Sequence, residues 1–175
     1  MKPMAKYAAA LLLAAGLGHM VTLWAMPRVI MRTVMGKMSD DGAKLNQFTF
    51  GDRTTQASRR VVRPSPDLAY SQCVYDLSDG PLLVTAAPSP NQGYVSLSVF
   101  DARTDNIAVF DTTQYPQGIS FVLAREGQVV PAGAQVVRAR FDRGVILDRR
   151  LAPSAELFAE VDKARRADSC ARAKI

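Results

Sequence analysis

The sequence predicts a mainly β fold: an antiparallel β-sandwich or partial roll of about seven strands, with one N-terminal transmembrane helix and one C-terminal helix. Three observations support this fold class. Residues 7–26 carry no formal charge, short apolar runs separated by turn residues follow from residue 68, and helical patterning returns only at residues 154–164. These features divide the chain into a membrane anchor (1–27), an amphipathic flank and tether (28–64) and a β-rich domain (65–175).

The uncharged run is long enough to cross a bilayer. About 20 apolar residues in a helix span the ~30 Å of hydrocarbon. Lys2 and Lys6 precede the run, as they also would in a cleaved signal peptide, which is the alternative. However, the run exceeds the ~7–15 residues usual in such peptides, and the nearest cleavage motif, at residues 23–25, has Leu in place of a small outer residue. The sequence therefore favours an uncleaved anchor.

The predicted anchor runs from Tyr7 through Leu12 to Trp24, where an aromatic ring suits the membrane interface. Pro27 is then expected to stop the helix. Lysines and arginines lie on both sides of the span, so charge alone does not set its orientation.

The segment after the anchor is predicted to have two parts. Residues 28–38 place apolar side chains at helical spacing among arginines and a lysine, which indicates an amphipathic helix lying on the lipid headgroups, or alternatively a plain stalk. Residues 39–64 are polar and without a clear period, which is typical of a tether.

The β pattern begins after this tether. In residues 94–100, Val95, Leu97 and Val99 alternate with Ser96 and Ser98, which predicts a strand with one buried and one solvated face. Strands are predicted at residues 70–77, 82–85, 94–100, 107–110, 119–124, 135–139 and 144–148.

The C-terminal helix is predicted from its start signal and its charges. Pro153 and Ser154 open residues 154–164, acidic residues lie early, and lysine and arginine lie late, as the helix dipole prefers.

The charge distribution argues against nucleic acid as a partner. The net charge is +6, but five basic and no acidic residues fall in residues 1–38, which leaves 17 basic and 16 acidic residues in the remainder. The excess positive charge belongs to the membrane flank, where it suits lipid headgroups.

Candidate catalytic chemistry is sparse. The single histidine, His19, lies inside the predicted anchor, which excludes a Ser-His-Asp triad within the β domain. Most aspartates flank predicted strands, where they commonly satisfy turn backbone groups, and the neighbouring Asp-Arg pairs at 52–53, 142–143 and 148–149 are expected to be solvated. Asp67, Tyr70 and Asp101 are the candidate pocket residues. No metal site and no cofactor are expected.

Four ordered blocks, at residues 65–71, 74–82, 94–97 and 101–106, resemble the domain of unknown function 1254 family, in particular its short, membrane-anchored bacterial members. The resemblance covers about residues 55–150 and only the first half of the large members. It implies a β-rich envelope protein, commonly encoded beside a companion of the domain of unknown function 1214 family. No established reaction accompanies it.

The resemblance favours an anchor in the bacterial inner membrane with the β domain on the periplasmic side. In that setting the chain is expected to act as an interaction or ligand-binding module. The alternative is a cofactor-free hydrolase or isomerase that uses a carboxylate such as Asp67 or Asp101, which would need two carboxylates converging in one pocket.

Cys73 and Cys170 are the two cysteines of the chain. An even count in an oxidising compartment predicts a disulfide between them that would fasten the C-terminal helix to the sheet. The alternative is a buried free thiol at Cys73 and an exposed one at Cys170, and the distance between the two Cα atoms, which must be within ~7 Å, decides between these possibilities.

Overall fold

A computed structural model describes residues 3–55, 57–59 and 63–174 of the protein. Two α-helices and nine strands are formed within these residues. The helices are α1 (Pro3–Ser39) and α2 (Ala155–Arg165), and the strands are β1 (Phe48–Phe50), β2 (Leu68–Asp76), β3 (Leu82–Ala86), β4 (Val95–Asp101), β5 (Asn106–Asp111), β6 (Ile119–Arg125), β7 (Val136–Ala139), β8 (Arg143–Leu151) and β9 (Ser169–Arg172).

The strands form two sheets packed face to face. The five-stranded sheet has the order β1-β2-β8-β4-β5, and all its pairs are antiparallel. The four-stranded sheet has the order β7-β6-β3-β9, in which β6 and β7 are parallel and the other pairs antiparallel. The mainly β, sandwich-like fold with one helix at each end of the chain is therefore confirmed.

The core lies between the two sheets and is built from the inward positions of each strand. Leu97 of β4 and Ile146 of β8 face Val84 of β3 and Phe121 of β6, and all four side chains are at most 1% exposed. Strand alternation explains this arrangement, because every second residue of each strand points to the same face.

A tyrosine and a glycine fill one end of this core. Tyr75 is fully buried, and its hydroxyl donates to the Phe100 carbonyl at 3.1 Å. Gly144 lies opposite Tyr75 on β8, and a Cβ at this position would collide with that hydroxyl and carbonyl. Burial raises the pKa of Tyr75, so the hydroxyl stays protonated and keeps donating.

The seven predicted strands correspond to β2 through β8, while β1 and β9 were not predicted. Both are short and contain few apolar residues that could form a period: β1 has three residues and β9 has four. β1 lies in the predicted tether, where Phe48 pairs with Cys73 of β2. The tether prediction is therefore wrong for residues 48–50, and its residues 56 and 60–62 lie outside the described residues.

The solvated face predicted for β4 is also wrong. Ser96 and Ser98 are 2% and 1% exposed. Their small side chains lie between β8 and β5, where Ser98 pairs with Leu147 and Val109 and accepts a hydrogen bond from Arg149 Nη2 at 3.1 Å. Larger neighbours on the same face therefore shield the two serines from solvent.

Helix α1 continues past the predicted stop at Pro27 and ends at Ser39. Proline removes one backbone donor, but apolar helices tolerate it when surrounding contacts compensate. Beyond the proline, the last turns are stabilised by packing, since Met31, Val34, Met35 and Met38 contact the outer face of the five-stranded sheet. The prediction that residues 28–38 lie on the headgroups is therefore wrong for the side that faces the protein.

The predicted C-terminal helix is confirmed as α2. The Ser154 hydroxyl caps it by accepting from the Leu157 backbone N–H at 3.2 Å. Val161 is fully buried against Ala69 and Ala152, so α2 packs on the start of β2 and the end of β8.

Candidate functional site

Two of the predicted candidate residues lie at the entry to β2. Asp67 is exposed, and Tyr70 is half-buried with its hydroxyl accepting from the Ser65 backbone N–H at 2.8 Å. The Asp67 backbone N–H donates to the Ser65 hydroxyl at 3.3 Å. These contacts shape the turn that leads into the strand.

The third candidate, Asp101, lies at the other end of the sheet. Its Oδ1 accepts from the backbone N–H groups of Arg103 and Asp105, at 2.7 and 3.1 Å, and so organises the turn between β4 and β5. Asp101 pairs with Gly144 and Tyr70 pairs with Arg149. Five positions along β8 separate these partners, roughly 17 Å at strand spacing, so the structure does not bring the three candidates together.

A shallow cavity of about 330 Å³, called the end cavity, lies where β2 ends and β8 begins. It is lined by Asp76, Ser78, Ala102, Phe141, Asp142 and Arg143. Asp76 accepts from Arg143 Nε at 2.7 Å, and Asp142 accepts from Arg125 Nη1 at 2.7 Å. Burial opposes ionisation of Asp76, but the hydrogen bonds from Ser78 and then Arg143 outweigh it and lower its pKa. Both carboxylates of the end cavity are thus committed to ion pairs.

A second cavity, called the loop pocket, has a volume of about 340 Å³ and lies between the β3–β4 and β5–β6 connections. It is lined by Pro88, Ser89, Gln92, Gly93, Tyr94, Thr112, Thr113 and Pro116. None of these side chains is an acid, lysine or arginine. Ser89 is 94% buried, since 6% of it is exposed, and within the described chain its Oγ has no hydrogen-bond partner.

The two loops of this pocket are fastened to each other by Thr112. Its hydroxyl accepts from the Val95 backbone N–H at 3.1 Å and donates to the Gly93 carbonyl at 3.4 Å. Gly118 closes the second loop with φ 110°, and a Cβ there would come within 2.9 Å of the Ala86 carbonyl. Only glycine suits this position, because the backbone is left-handed and the loops touch.

The two sheets are joined covalently by a disulfide. Cys73 of β2 and Cys170 of β9 are bonded, with their Cα atoms 6.6 Å apart and both residues buried. This is the predicted pair. Since Cys170 belongs to β9 rather than to the helix before it, the bond links one sheet directly to the other.

A buried ion-pair network joins the same sheets a second time. Arg150 of β8 is 0% exposed and donates to Asp148 at 3.0 Å, to both oxygens of Asp168 at 2.8 Å, and to the Ala87 carbonyl at 2.9 Å. Asp168 precedes β9 and also accepts from the Ala87 backbone N–H at 2.9 Å. One guanidinium from the five-stranded sheet thus holds two segments of the four-stranded sheet.

A second buried arginine fastens α2. Arg165 donates to the Tyr70 carbonyl and to the Gly51 carbonyl, each at 2.6 Å, and to Asp162 at 2.9 Å. It therefore ties the end of α2 to β2 and to the residue that follows β1.

Burial dominates the titration of the two carboxylates in the Arg150 network. It raises the pKa of Asp168 to about 7, although Arg150 opposes the shift. It also raises the pKa of Asp148, against the same arginine. In the described residues Asp148 Oδ1 is buried and has no hydrogen-bond partner. The expectation that Asp148 and Arg149 form a solvated pair is therefore wrong for Asp148, which points into the core while Arg149 points outward.

The exposure of the side chains of α1 changes abruptly along its length. Large apolar side chains from Met4 to Ile30, including Tyr7, Leu12 and Trp24, are 47–82% exposed, whereas Met31 is 6% exposed. The Arg28 guanidinium lies 4.2 Å from the centre of the Trp24 ring, near this change. The helix is long and apolar enough to span a membrane, a property that N-terminal signal sequences share.

The outer face of the five-stranded sheet is only partly covered by α1. The residues of this face that contact α1 include Val74, Val145 and Phe100. The adjoining rows, called the open face, contain Leu147 and Arg149 of β8, Ser98 of β4 and Val109 of β5. Val109 is 51% exposed, and within the described residues Arg149 Nε is buried without a hydrogen-bond partner.

Sequence reasoning missed the Arg150 network, the loop pocket and the open face. A signal for the network was present, because Asp148 and Arg150 alternate with Leu147 and Arg149 and share a face with Ile146. Within the described part of the chain, no three His, Cys, Asp or Glu side chains are placed to hold a metal ion.

Comparison with solved structures finds two similar bacterial proteins. The crystal structure of the VPA0106 protein from Vibrio parahaemolyticus is similar, with a TM-score of 0.68 and 16% identity over 85% of this chain and 36% of that one. An uncharacterized protein from Burkholderia cenocepacia has a TM-score of 0.49 and 14% identity over 69% of this chain and 35% of that one. The chain thus spans about a third of these structures.

No curated protein matches the sequence. A protein family does, over residues 45–172, which contain all nine strands and α2. The match extends beyond the four blocks of residues that suggested the resemblance and includes β9 with its cysteine. The chain belongs to the family of proteins of unknown function called DUF1254.

Proposed function

We propose that the protein is a membrane-tethered interaction module of the bacterial envelope, which binds a partner protein through the open face. The proposal rests on the exposure and the unmet hydrogen bonding of that face beside α1. Val109 is half exposed, and Arg149 Nε is buried there without a hydrogen-bond partner in the described chain. A partner would supply an apolar contact at Val109 and an acceptor for the partly exposed Arg149 guanidinium, whose enclosed Nε a partner does not reach directly.

The proposed cellular location is supported by the N-terminal helix and by the disulfide. Exposed apolar residues of α1 suit lipid, and the disulfide between Cys73 and Cys170 suits an oxidising compartment. Together they support an anchor in the inner membrane with the β domain on the periplasmic side. Because α1 enters the domain as one continuous helix, the open face would be presented close to the bilayer.

The partner we propose is a protein of the domain of unknown function 1214 family, the companion that the family resemblance implies. The exposed edge strand β5 supports binding by strand addition or by packing on the open face. The VPA0106 chain is about three times as long as the region it shares with this protein, which leaves room for such a companion unit in that chain.

Site-specific photocrosslinking in native membranes tests the partner. A photoreactive amino acid at Val109 should yield a crosslink to a second protein of the companion family. The matched control is Leu83, which is 41% exposed on β3 of the other sheet and should yield none. Equal crosslinking at both positions, or none at Val109, would contradict the proposed face.

Binding is favoured over the alternative, a carboxylate-dependent hydrolase or isomerase. In the end cavity, Asp76 and Asp142 line one space, but each is held in an ion pair with an arginine. The hydrogen bonds that lower the Asp76 pKa keep it ionised, which suits neither a general acid nor a base near neutral pH. Asp67 and Asp101 lie far apart along the sheet.

A further inference from the structure

We propose that the loop pocket binds a neutral sugar unit, at a site separate from the open face. The pocket has about 340 Å³, at the lower end of the range of roughly 300–1,000 Å³ for small-ligand sites. A volume of this size suits a single ring better than an extended polymer segment. The site belongs to the two loops at one end of the sandwich.

The lining chemistry selects an uncharged ligand. Hydroxyls of Ser89, Tyr94, Thr112 and Thr113 and the amide of Gln92 surround the space, and no acidic or basic side chain is among the lining residues. The two threonines donate within the protein, to the Gly93 carbonyl and to Asp111, so they offer a ligand only acceptors. A charged ligand would lose hydration there without gaining an opposite charge. Hydroxyls and amides both donate and accept hydrogen bonds, as the hydroxyls of a sugar do.

Ser89 indicates that a polar ligand is needed rather than an apolar one. Its side chain is 94% buried, as its 6% exposure shows, and its Oγ has no hydrogen-bond partner in the described chain. The Oγ atom is enclosed by the loop, so a ligand reaches it only after the Ser89 side chain turns about χ1 toward the space. A hydrogen bond from a ligand hydroxyl would then recover the free energy that the unpaired group costs. A purely apolar ligand would leave this cost in place.

Rings on the wall provide the apolar contact that a sugar ring also requires. Tyr94 is 41% exposed, and Pro88 and Pro116 lie beside it in the lining. The face of a pyranose ring carries C–H groups, which pack on aromatic and proline rings while its hydroxyls reach the polar groups. A proline-rich peptide would also contact these rings, and its carbonyls could accept from Ser89, but its tertiary amides have no N–H to donate, whereas a sugar hydroxyl both donates and accepts.

The backbone holds the site open before any ligand arrives. Asn91 and Gln92 have φ of 54° and 55° in the turn that carries Gln92 toward the pocket. A Cβ on Gly93 would lie 3.2 Å from the Ser89 Cβ, so the turn packs tightly around Ser89. Such a preformed loop limits the entropy lost on binding.

Saturation-transfer NMR on the full chain in detergent tests the ligand class. The detergent must carry a polyethylene glycol head, because a glycoside head would compete. The probes are glucose and N-acetylglucosamine, with N-acetyl-triproline methyl ester, which has no N–H group, as the peptide probe. We expect saturable binding of at least one sugar and none of the peptide.

Two substitutions locate the binding. Ser89→Ala and Tyr94→Ala should each raise the dissociation constant of the sugar about fivefold, while Ser120→Ala, on an exposed position of β6, should leave it unchanged. Unchanged melting temperatures would show that all three variants fold. Absence of saturable binding of both sugars, binding unaffected at Ser89 and Tyr94, or preferential binding of the peptide would overturn the proposal.

Discussion

At the scale of single residues, charged groups lie in the centre of this protein. Asp148 and Arg150 share the inner face of β8 with Ile146, and all three are 0% exposed. Such a buried pair contributes less to stability than its Coulomb attraction suggests, because both charges lose water. The pair instead suits holding the two sheets in a fixed relative position, since Arg150 donates to Asp168 and to the Ala87 carbonyl of the other sheet.

The raised pKa of Asp168 predicts a pH-dependent stability. Its pKa is about 7 in the folded protein and 3.8 when unperturbed, so between these values folding takes up a proton. Stability should therefore fall as pH rises from about 4 to 7. His19 lies in α1, so the β domain has no histidine to titrate in this range. Melting temperatures should be roughly 4 °C higher at pH 5.5 than at pH 8.

Aspartate-to-asparagine variants identify the responsible group. Asp168→Asn should reduce the pH dependence between pH 5.5 and 8, and any dependence that remains belongs to Asp148, whose pKa is also raised. Asp111→Asn is the matched control, because hydrogen bonds from Thr113 lower the pKa of that carboxylate and keep its titration below this range. A wild-type protein more stable at pH 8 than at pH 5.5 would contradict the raised pKa.

At the scale of secondary structure, the sequence was sufficient to predict an element wherever its local hydrophobic period was strong. β2 through β8 and α2 could be predicted because alternation, turn residues and a serine cap act within a few residues. β1 and β9 could not, because strands of three and four residues are too short to show a local period. The loop pocket could not be predicted either, because its two walls are separated in the sequence by the entire β4–β5 hairpin.

The end of α1 could not be predicted, because its apolar side faces a sheet rather than lipid. A buried charge should detach it. Met31→Asp places a carboxylate among Val74, Val145 and the other contacts of a side chain that is 6% exposed, at a cost of about 2 kcal/mol or more. Hydrogen exchange of the amides of residues 31–39 should become faster in this variant.

The matched control on the same helix is Thr33→Asp, because Thr33 is exposed. This variant should exchange like the wild type. Equal exchange in Met31→Asp and wild type would mean that the contact with the sheet does not hold the helix.

At the scale of the whole molecule, three links hold the parts together. The disulfide and Arg150 join the two sheets, and the last turns of α1 join the domain to the anchor. The disulfide spans 97 positions, for which chain entropy suggests a stabilisation of about 4–5 kcal/mol. A domain fastened in this way can be presented at a membrane surface as one body.

The state of the two thiols tests the envelope placement most directly. Membranes from cells that express the full chain are denatured without reductant and treated with a thiol-reactive polyethylene glycol. We expect no mass increase until reductant is added, and then an increase of two adducts. Cys73→Ser and Cys170→Ser should each expose one reactive thiol without reductant. Labelling of both cysteines in unreduced wild-type protein would contradict the disulfide and, with it, the placement of the domain in the periplasm.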